Sequence, residues 1–242
     1  MCQHYGKLQQ TFTVAKLAKL MYNDNMQNVN YDKELEKIIG SIDVGAPPRL
    51  LLHVCCAPCA TYCLTRLLSY FDVTLFYAND NITAPNEWQK RLHEVEKLVE
   101  IVNNGKFEVV PIRPLKLVVQ EQDSARFFAV AKGLEQEKEG GARCKECFAL
   151  RLGDAQKYAL DNGFDYFGTT LTVSPYKNSQ LLNEIGLMLQ SSELKWLTAD
   201  FKKQNGYNES IRLSQKYELY RQHYCGCASS VRQVGSYAKP IA

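Results

Sequence analysis

Arg49-Leu50-Leu51-Leu52-His53-Val54-Cys55-Cys56-Ala57-Pro58-Cys59 is the stretch from which the fold is read. Residues 50–54 form a near-continuous apolar run, the pattern of a strand covered on both faces in a parallel sheet. Pro58 suits the first turn of a following helix, where a missing N–H leaves no bond unmade. Tyr62, Leu64, Leu67 and Leu68 carry that helix onward. In open α/β sheets, ligands bind in the crevice beyond the carboxyl end of such a strand. Helix N-termini there favour negative charge and lower thiol pKa values. Three cysteines in five residues at that place make a candidate site.

Outward from this stretch, strands and helices alternate. Residues 73–77 read as a second strand, β-branched and aromatic, running into the polar turn Asn79-Asp80-Asn81-Ile82. A helix is expected over 87–103, closed by Gly105, and a third strand over 107–112. Residues 115–139 are expected to be mostly helical and exposed. A helix over 148–160 follows, then a strand over 165–171, a helix through Leu181, Ile185 and Leu189, and a last strand over 194–197. Such alternation indicates a parallel sheet with right-handed crossovers. Residues 1–47 read as an N-terminal extension. It holds a short helix over 31–39 ended by Gly40, and Gly45-Ala46-Pro47-Pro48 links it to the main domain at 48–242. Cys2 and His4 read as terminal surface residues.

At 242 residues, 45% apolar and 23% charged, the chain can bury a substantial core of ordinary globular composition. No apolar run approaches the roughly 18 residues that a membrane span requires. The start lacks the basic segment and apolar core of a signal peptide, so a cytoplasmic protein with no membrane partner is expected. In a reducing compartment the nine cysteines point to metal binding or redox chemistry rather than structural disulfides. The net charge is only +3. Seven Lys/Arg against two acids from 201 to 242 leave that portion at +5 and the rest at −2. Such a portion could meet phosphate or simply be a solvated helical face.

The cysteines fall into pairs. Cys144 and Cys147 have the spacing that brings two thiolates onto one metal at a helix start, in structural zinc as much as in a cluster. Cys55 and Cys56 would face opposite ways on a regular strand, so joint ligation needs the turn that follows it. Four such thiolates suit an iron–sulfur cluster or a closed zinc site. In Cys225-Gly226-Cys227 a disulfide would be strained and easily reduced. That allows an electron relay, two ligands for another metal, or two buried thiols. Cys56-Ala57-Pro58-Cys59 has thioredoxin-like spacing, Cys63 one turn later reads as a core residue, and His53 reads as a packed, satisfied histidine.

Residues 51–59, 141–148, 169–178 (Thr169-Thr170-Leu171-Thr172-Val173-Ser174-Pro175-Tyr176-Lys177-Asn178) and 219–227 together resemble, in order, the motifs of the epoxyqueuosine reductase QueH family. The resemblance covers roughly residues 48–230. It implies a cobalamin-independent enzyme that removes the epoxide oxygen of epoxyqueuosine at the tRNA anticodon wobble position, yielding queuosine and water. Cys55, Cys56, Cys144 and Cys147 would then hold a [4Fe-4S] cluster, and Cys225 and Cys227 would form a redox-active pair. A second, single iron would lie near the cluster, with Cys59, Asp80, Cys225 and Cys227 as candidate ligands. The turn that usually reads Asn-Pro-Asn-Ile or Asn-Ser-Asn-Ile in the family is here Asn79-Asp80-Asn81-Ile82, and the following His-Pro becomes Thr83-Ala84-Pro85.

Expelling the epoxide oxygen takes two electrons and two protons, so a proton donor must lie within reach; Tyr176, Asp80 and His53 are the candidates. Tyr220, Tyr224 and Arg221 could hold tRNA phosphates, and an external electron donor is required. The fold class expected is α/β, a Rossmann-like (HUP-type) parallel sheet flanked by helices, with the N-terminal extension. Two other classes remain open: a zinc-stapled α/β module that binds RNA or protein without catalysis, and a dithiol oxidoreductase using Cys56 and Cys59. A nucleotide-dependent thiolase is disfavoured, because cysteines stand where a Gly-rich phosphate loop would follow the first strand.

Overall fold

The structure, a computed structural model, describes residues 2–5 and 29–230, the first four by backbone alone. Six strands form one sheet: β1 (Cys2–Tyr5), β2 (Arg49–His53), β3 (Asp72–Tyr77), β4 (Lys116–Gln120), β5 (Tyr166–Thr169) and β6 (Lys195–Trp196). They lie in the order β1-β4-β3-β2-β5-β6, and all pairings are parallel. The helices are α1 (Tyr31–Gly40), α2 (Ala57–Leu67), α3 (Pro85–Asn103), α4 (Ser124–Ala131), α5 (Ala142–Asp161), α6 (Ser179–Leu189) and α7 (Gly206–Lys216). No described helix is long and apolar enough to cross a membrane.

Strand periodicity divides the core in two. Leu50, Leu52 and Val54 of the β2 stretch face one apolar cluster with Val73, Leu75 and Tyr77 of β3 and Leu117 and Val119 of β4. Leu51, Phe76 and Val118 face the other, as alternation along a strand requires. Helices α1, α2, α3 and α7 cover the first face through Leu35, Leu64, Val95 and Leu213. Helices α5 and α6 cover the second through Leu152, Ala155, Leu182 and Ile185. The result is the expected parallel α/β sheet flanked by helices. Strand succession reverses at β2, with β3 and β4 on one side and β5 and β6 on the other. The crevice of such a sheet therefore opens beyond the carboxyl ends of β2 and β5.

Two expectations are corrected. Residues 107–112 form bends rather than a strand, because Pro111 has no N–H to give a ladder. Phe107 instead stacks on Tyr217, with ring centroids 5.3 Å apart. The strand in that position is Lys116–Gln120, whose β-branched Val118-Val119 pair suits burial between β1 and β3. Residues 115–139 are consequently not mostly helical; the helix there is confined to α4, capped by the Asp123 side chain on the Ala125 N–H. Two ends also differ. Helix α5 begins at Ala142, before the expected residue 148, and β5 ends at Thr169, whose hydroxyl accepts from the Leu171 N–H and opens a 3-10 turn, Thr170–Val173.

Within the stretch read as an extension, β1 pairs with β4 and α1 buries Leu35 in the first core. Asp32 and Glu36 of α1 are ion-paired to Arg66 of α2. The readings of Cys2 and His4, and of the basic portion beyond residue 230, fall outside the described side chains.

Gly186 on α6 marks the tightest helix–sheet approach, since a Cβ there would lie 2.0 Å from Trp196 Cδ2. Trp196 cannot retreat easily: it is buried, its ring N–H donates to Asn183 Oδ1 at 2.9 Å, and it meets Phe167 edge-on at 5.0 Å. Gly186→Ala is expected to cost roughly 1–3 kcal/mol by overpacking, read as a lower urea midpoint. An unchanged midpoint would mean that the indole shifts freely.

Candidate functional site

The carboxyl ends of β2, β3 and β5 carry the polar residues of the site. Past His53 the chain turns at Cys55 and Cys56, and Cys56 caps α2 with Pro58 in its first turn. The turn does what a strand could not. The sulfurs of Cys55 and Cys56 lie 3.7 Å apart, and those of Cys55, Cys56 and Cys59 all lie within 4.8 Å of one another. Hydrogen bonds from Cys56 and Cys59 hold the Cys55 thiol well below its usual pKa. Burial pushes Cys56 up to about 12, and hydrogen bonds to Cys55 and Cys56 push Cys59 up as well. The triad is thus a linked group in which Cys56 and Cys59 hydrogen-bond to the Cys55 sulfur. Gln222 adds a further donor, its Nε2 lying 2.8 Å from Cys56 Sγ.

Cys144 and Cys147 lie in the first two turns of α5, on one face at i,i+3 spacing. The Gly140 N–H donates to Cys144 Sγ at 3.2 Å, while burial pushes Cys147 up to about 12. Cys144 and Cys55 border the same apolar cluster, and Cys147 shares a small one with Phe127, Ala131 and Cys227. Among the described residues the thiols close enough to share one metal ion are Cys55, Cys56 and Cys59, while one cysteine of each doublet, Cys55 and Cys147, acts on Arg151. This guanidinium, one helical turn beyond Cys147, is buried and interacts with Cys147, Cys55 and Cys225. It also donates to Asn79 Oδ1 at 2.5 Å, and Asn79 in turn donates to the Val54 carbonyl at 2.9 Å.

The Cys225-Gly226-Cys227 segment is bound to this rim from one side. All eight described cysteines are free thiols, Cys225 and Cys227 included. Gly226 has φ +114°, a conformation that L side chains rarely adopt. Its carbonyl accepts from the Thr83 N–H at 3.2 Å. Arg91, buried on α3, donates to the carbonyls of Cys225 and Tyr224 at 3.0 and 3.1 Å, and its Nε is paired with Glu87 at 2.7 Å. Arg91→Lys keeps the charge but loses the fork that reaches both carbonyls. It is expected to cost about 1–2 kcal/mol and to speed alkylation of Cys225 by a thiol reagent. Unaltered alkylation would mean that the loop is held by other contacts.

The remaining candidates lie as follows. Asp80 is buried, accepts from the Asp123 N–H at 2.9 Å and pairs with Arg126 at 2.9 Å; burial pushes its carboxyl up to about 6. His53 is packed as expected, Nδ1 with Thr169 Oγ1 at 2.9 Å and Nε2 with the Ala78 carbonyl at 3.3 Å. Burial lowers its pKa to about 3. Tyr176 is 71% exposed, whereas the adjacent Lys177 is buried beside Cys225 and Cys144 and paired with Glu139. Tyr220 carries Lys90 over its ring at 3.4 Å, Tyr224 carries Arg91 at 5.1 Å, and Arg221 lies over Tyr207 at 5.2 Å. Cys63 is fully buried and donates to the Cys59 carbonyl at 3.2 Å.

The donor set fits a metal–sulfur group. Soft thiol ligands select iron–sulfur clusters or zinc. Three side chains touching this rim each leave a buried polar atom without a protein partner: Asn81 Oδ1, Arg151 Nε and Gln222 Oε1. Arg91, Arg151 and Gln222 were not singled out in the sequence. The one available signal was the i,i+4 spacing of Cys147 and Arg151.

A parallel α/β sheet with a cluster of three thiols at its switch point defines a Rossmann-like protein with a candidate metal site. Residues 50–233 match the family model described as epoxyqueuosine reductase QueH, and the chain belongs to that family of oxidoreductases. It is 43% identical over 216 residues to the epoxyqueuosine reductase QueH of Staphylococcus aureus, covering 86% of this chain and 87% of the relative. The protein of that name from Streptococcus pyogenes is 37% identical over 222 residues, 90% of this chain and 85% of the relative. That from Thermotoga maritima is 31% identical over 187 residues, 75% of this chain and 90% of the relative.

Proposed function

We propose that this chain reduces epoxyqueuosine to queuosine on tRNA, at the anticodon wobble position and without cobalamin. The observation that carries the proposal is the cluster of Cys55, Cys56 and Cys59 sulfurs, all within 4.8 Å of one another beyond β2, in a chain of this family. In the reaction both epoxide C–O bonds break, a C=C bond forms, and the oxygen leaves as water. Two electrons and two protons are consumed, the electrons coming from an external reductant. Cys55, Cys56, Cys144 and Cys147 would hold a [4Fe-4S] cluster, and a second iron would find its ligands among Cys59, Cys225 and Cys227, which leaves Asp80 free to hold a proton. When bound, such a group supplies electrons singly and a Lewis-acid contact for oxygen.

The chain's own residues supply position and protons. Cys225 and Cys227 form a dithiol that Arg91 and Thr83 hold by the backbone against the rim. Asp80 is the proton donor. It is buried at the rim, and its pKa near 6 keeps part of it protonated at neutral pH. His53 is held neutral by burial, with both ring nitrogens engaged, and acts as a spacer between β2, β3 and β5. Tyr176, exposed beside buried Lys177, is placed to meet the tRNA before the modified base enters. Arg221 and the basic residues near it add attraction for phosphate. Residues 48–242 are the catalytic unit, with 1–47 as its extension.

The test is direct. Protein reconstituted anaerobically with iron and sulfide is incubated with dithionite and epoxyqueuosine-containing tRNA, and the nucleosides are then weighed. Loss of one oxygen mass is expected, with a brown protein. Unchanged nucleoside beside an intact cluster would reject the reaction, and a colourless protein holding only zinc would favour the non-catalytic module.

A further inference from the structure

We propose that Asn81 and Gln222 recognise the modified base, each offering a buried carbonyl oxygen to a hydrogen-bond donor of the substrate. This rests on the reading of the chain as an epoxyqueuosine reductase. The two side chains are set in the same manner. Asn81, 1% exposed in the turn after β3, directs its amide nitrogen at Cys225 Sγ, 4.0 Å away. Gln222 donates from its amide nitrogen to Cys56 Sγ at 2.8 Å. In both, the nitrogen end is engaged by a site cysteine. The oxygen ends, Asn81 Oδ1 and Gln222 Oε1, are buried and meet no hydrogen-bond donor of the protein. A third such oxygen, Gln120 Oε1, belongs to an amide whose nitrogen is on Asp154 rather than on sulfur.

The two oxygens belong to one rim. Gln222 stands three residues before Cys225, a reach of about 10 Å at most along the chain, and Asn81 meets the Cys225 sulfur. The turn and the Cys225 segment are tied by the Thr83 N–H on the Gly226 carbonyl at 3.2 Å. Asn79 ties the same turn to the Val54 carbonyl, two residues before Cys56. A buried acceptor without a donor is costly, and native proteins keep few of them. Two at one rim, each fixed by its own amide nitrogen, mark a place where a ligand supplies the donors. The sulfur of a metal–sulfur group has no hydrogen to give, so that group leaves both oxygens unanswered. The ring of epoxyqueuosine carries donors beside its epoxide: hydroxyls and a secondary amine. Guanine at the same anticodon position lacks that ring. Asn81 and Gln222 therefore set the preference for the modified base, since a wrong ligand leaves their oxygens unpaired.

The test is a binding measurement without turnover. Full-length wild type, N81L, Q222M and Q222E, reconstituted anaerobically, are titrated without reductant against two anticodon stem–loop RNAs. The RNAs differ only in carrying epoxyqueuosine or guanine at the wobble position. Wild type is expected to prefer the first. N81L and Q222M, close in size to the residues they replace, should each lose about tenfold or more in affinity for the epoxyqueuosine RNA and none for the other. Q222E keeps an oxygen there but not the N–H on Cys56, and should retain most of the preference. Equal loss in Q222E and Q222M would assign the effect to the Cys56 bond and overturn the proposal. So would an unchanged preference in N81L and Q222M, since water then meets both oxygens. Matched loss for both RNAs would show a disturbed rim rather than lost recognition, and overturns it as well. Wild type that binds the two RNAs alike would instead overturn the reading of the substrate, a separate and visible result.

Discussion

Cys147→Ser is expected to lower turnover of epoxyqueuosine-containing tRNA by roughly two orders of magnitude or more, together with bound iron. Ligand-supporting residues alone are worth 10–100-fold in affinity or activity at metal sites, and a lost thiolate should cost at least as much. The residue is buried beside Arg151 and Cys227, so a serine hydroxyl there would be neither a soft ligand nor a counter-charge. Cys63→Ser is the matched control. Cys63 is equally buried but points into the first core, with its S–H on the Cys59 carbonyl. Iron and activity should survive that change. The measurement is iron per protein after reconstitution, beside single-turnover conversion of the tRNA. Comparable losses in both variants would mean that the effect is one of packing, and Cys147 would lose its place in the centre.

Gly226→Ala carries the second large effect. At φ +114° a Cβ would be strained whatever the surrounding space, and it would also come within 2.9 Å of Ile82 Cγ1 and 3.3 Å of Arg91 Nη1. Residues forced into such regions cost of order 1–3 kcal/mol. Here the loop has two ways to relieve the strain: to break the Gly226 carbonyl bond to Thr83, or to leave Arg91. Either one moves the Cys225 and Cys227 thiols. Conversion is therefore expected to fall by about tenfold or more, with the cluster's sulfide and brown colour as in wild type, since the strain falls outside Cys55, Cys56, Cys144 and Cys147. Full turnover in the variant would show that the reaction does not need this dithiol held in place. Loss of sulfide and colour together with turnover would move Cys225 or Cys227 among the ligands of the main centre.

Much of the fold is legible in the chain because its signals are local. The leucines at 50–52 alternate between two cores and so require cover on both faces. The turn after Val54, with Pro58 behind it, predicts both the end of β2 and the start of α2. Less legible was the choice between two short apolar runs, 107–112 and 116–120. The ladder decides it, since Pro111 cannot donate and Val118-Val119 can sit between two strands. Strand β1 was not read as a strand at all; Cys2–Tyr5 has little apolar pattern and gains its place by pairing along the free edge of β4.

The site divides in the same way. Cysteine spacing, glycine between two cysteines, and the order of four motifs are properties of the chain itself. They determine which atoms can bind metal and which backbone can bend. Arg91 and Arg151 look like any cation on the polar face of a helix, and nothing nearby in sequence marks them as buried. Burial of a charge is settled by groups far along the chain: the carbonyls of Tyr224 and Cys225 for Arg91, and Asn79, Cys55 and Cys225 for Arg151. The sequence by itself determined a parallel sheet with sulfur at its switch point. Only the tertiary structure decided that this sulfur faces a buried cation, because desolvation depends on every element packed around a group, and no single stretch of residues contains them.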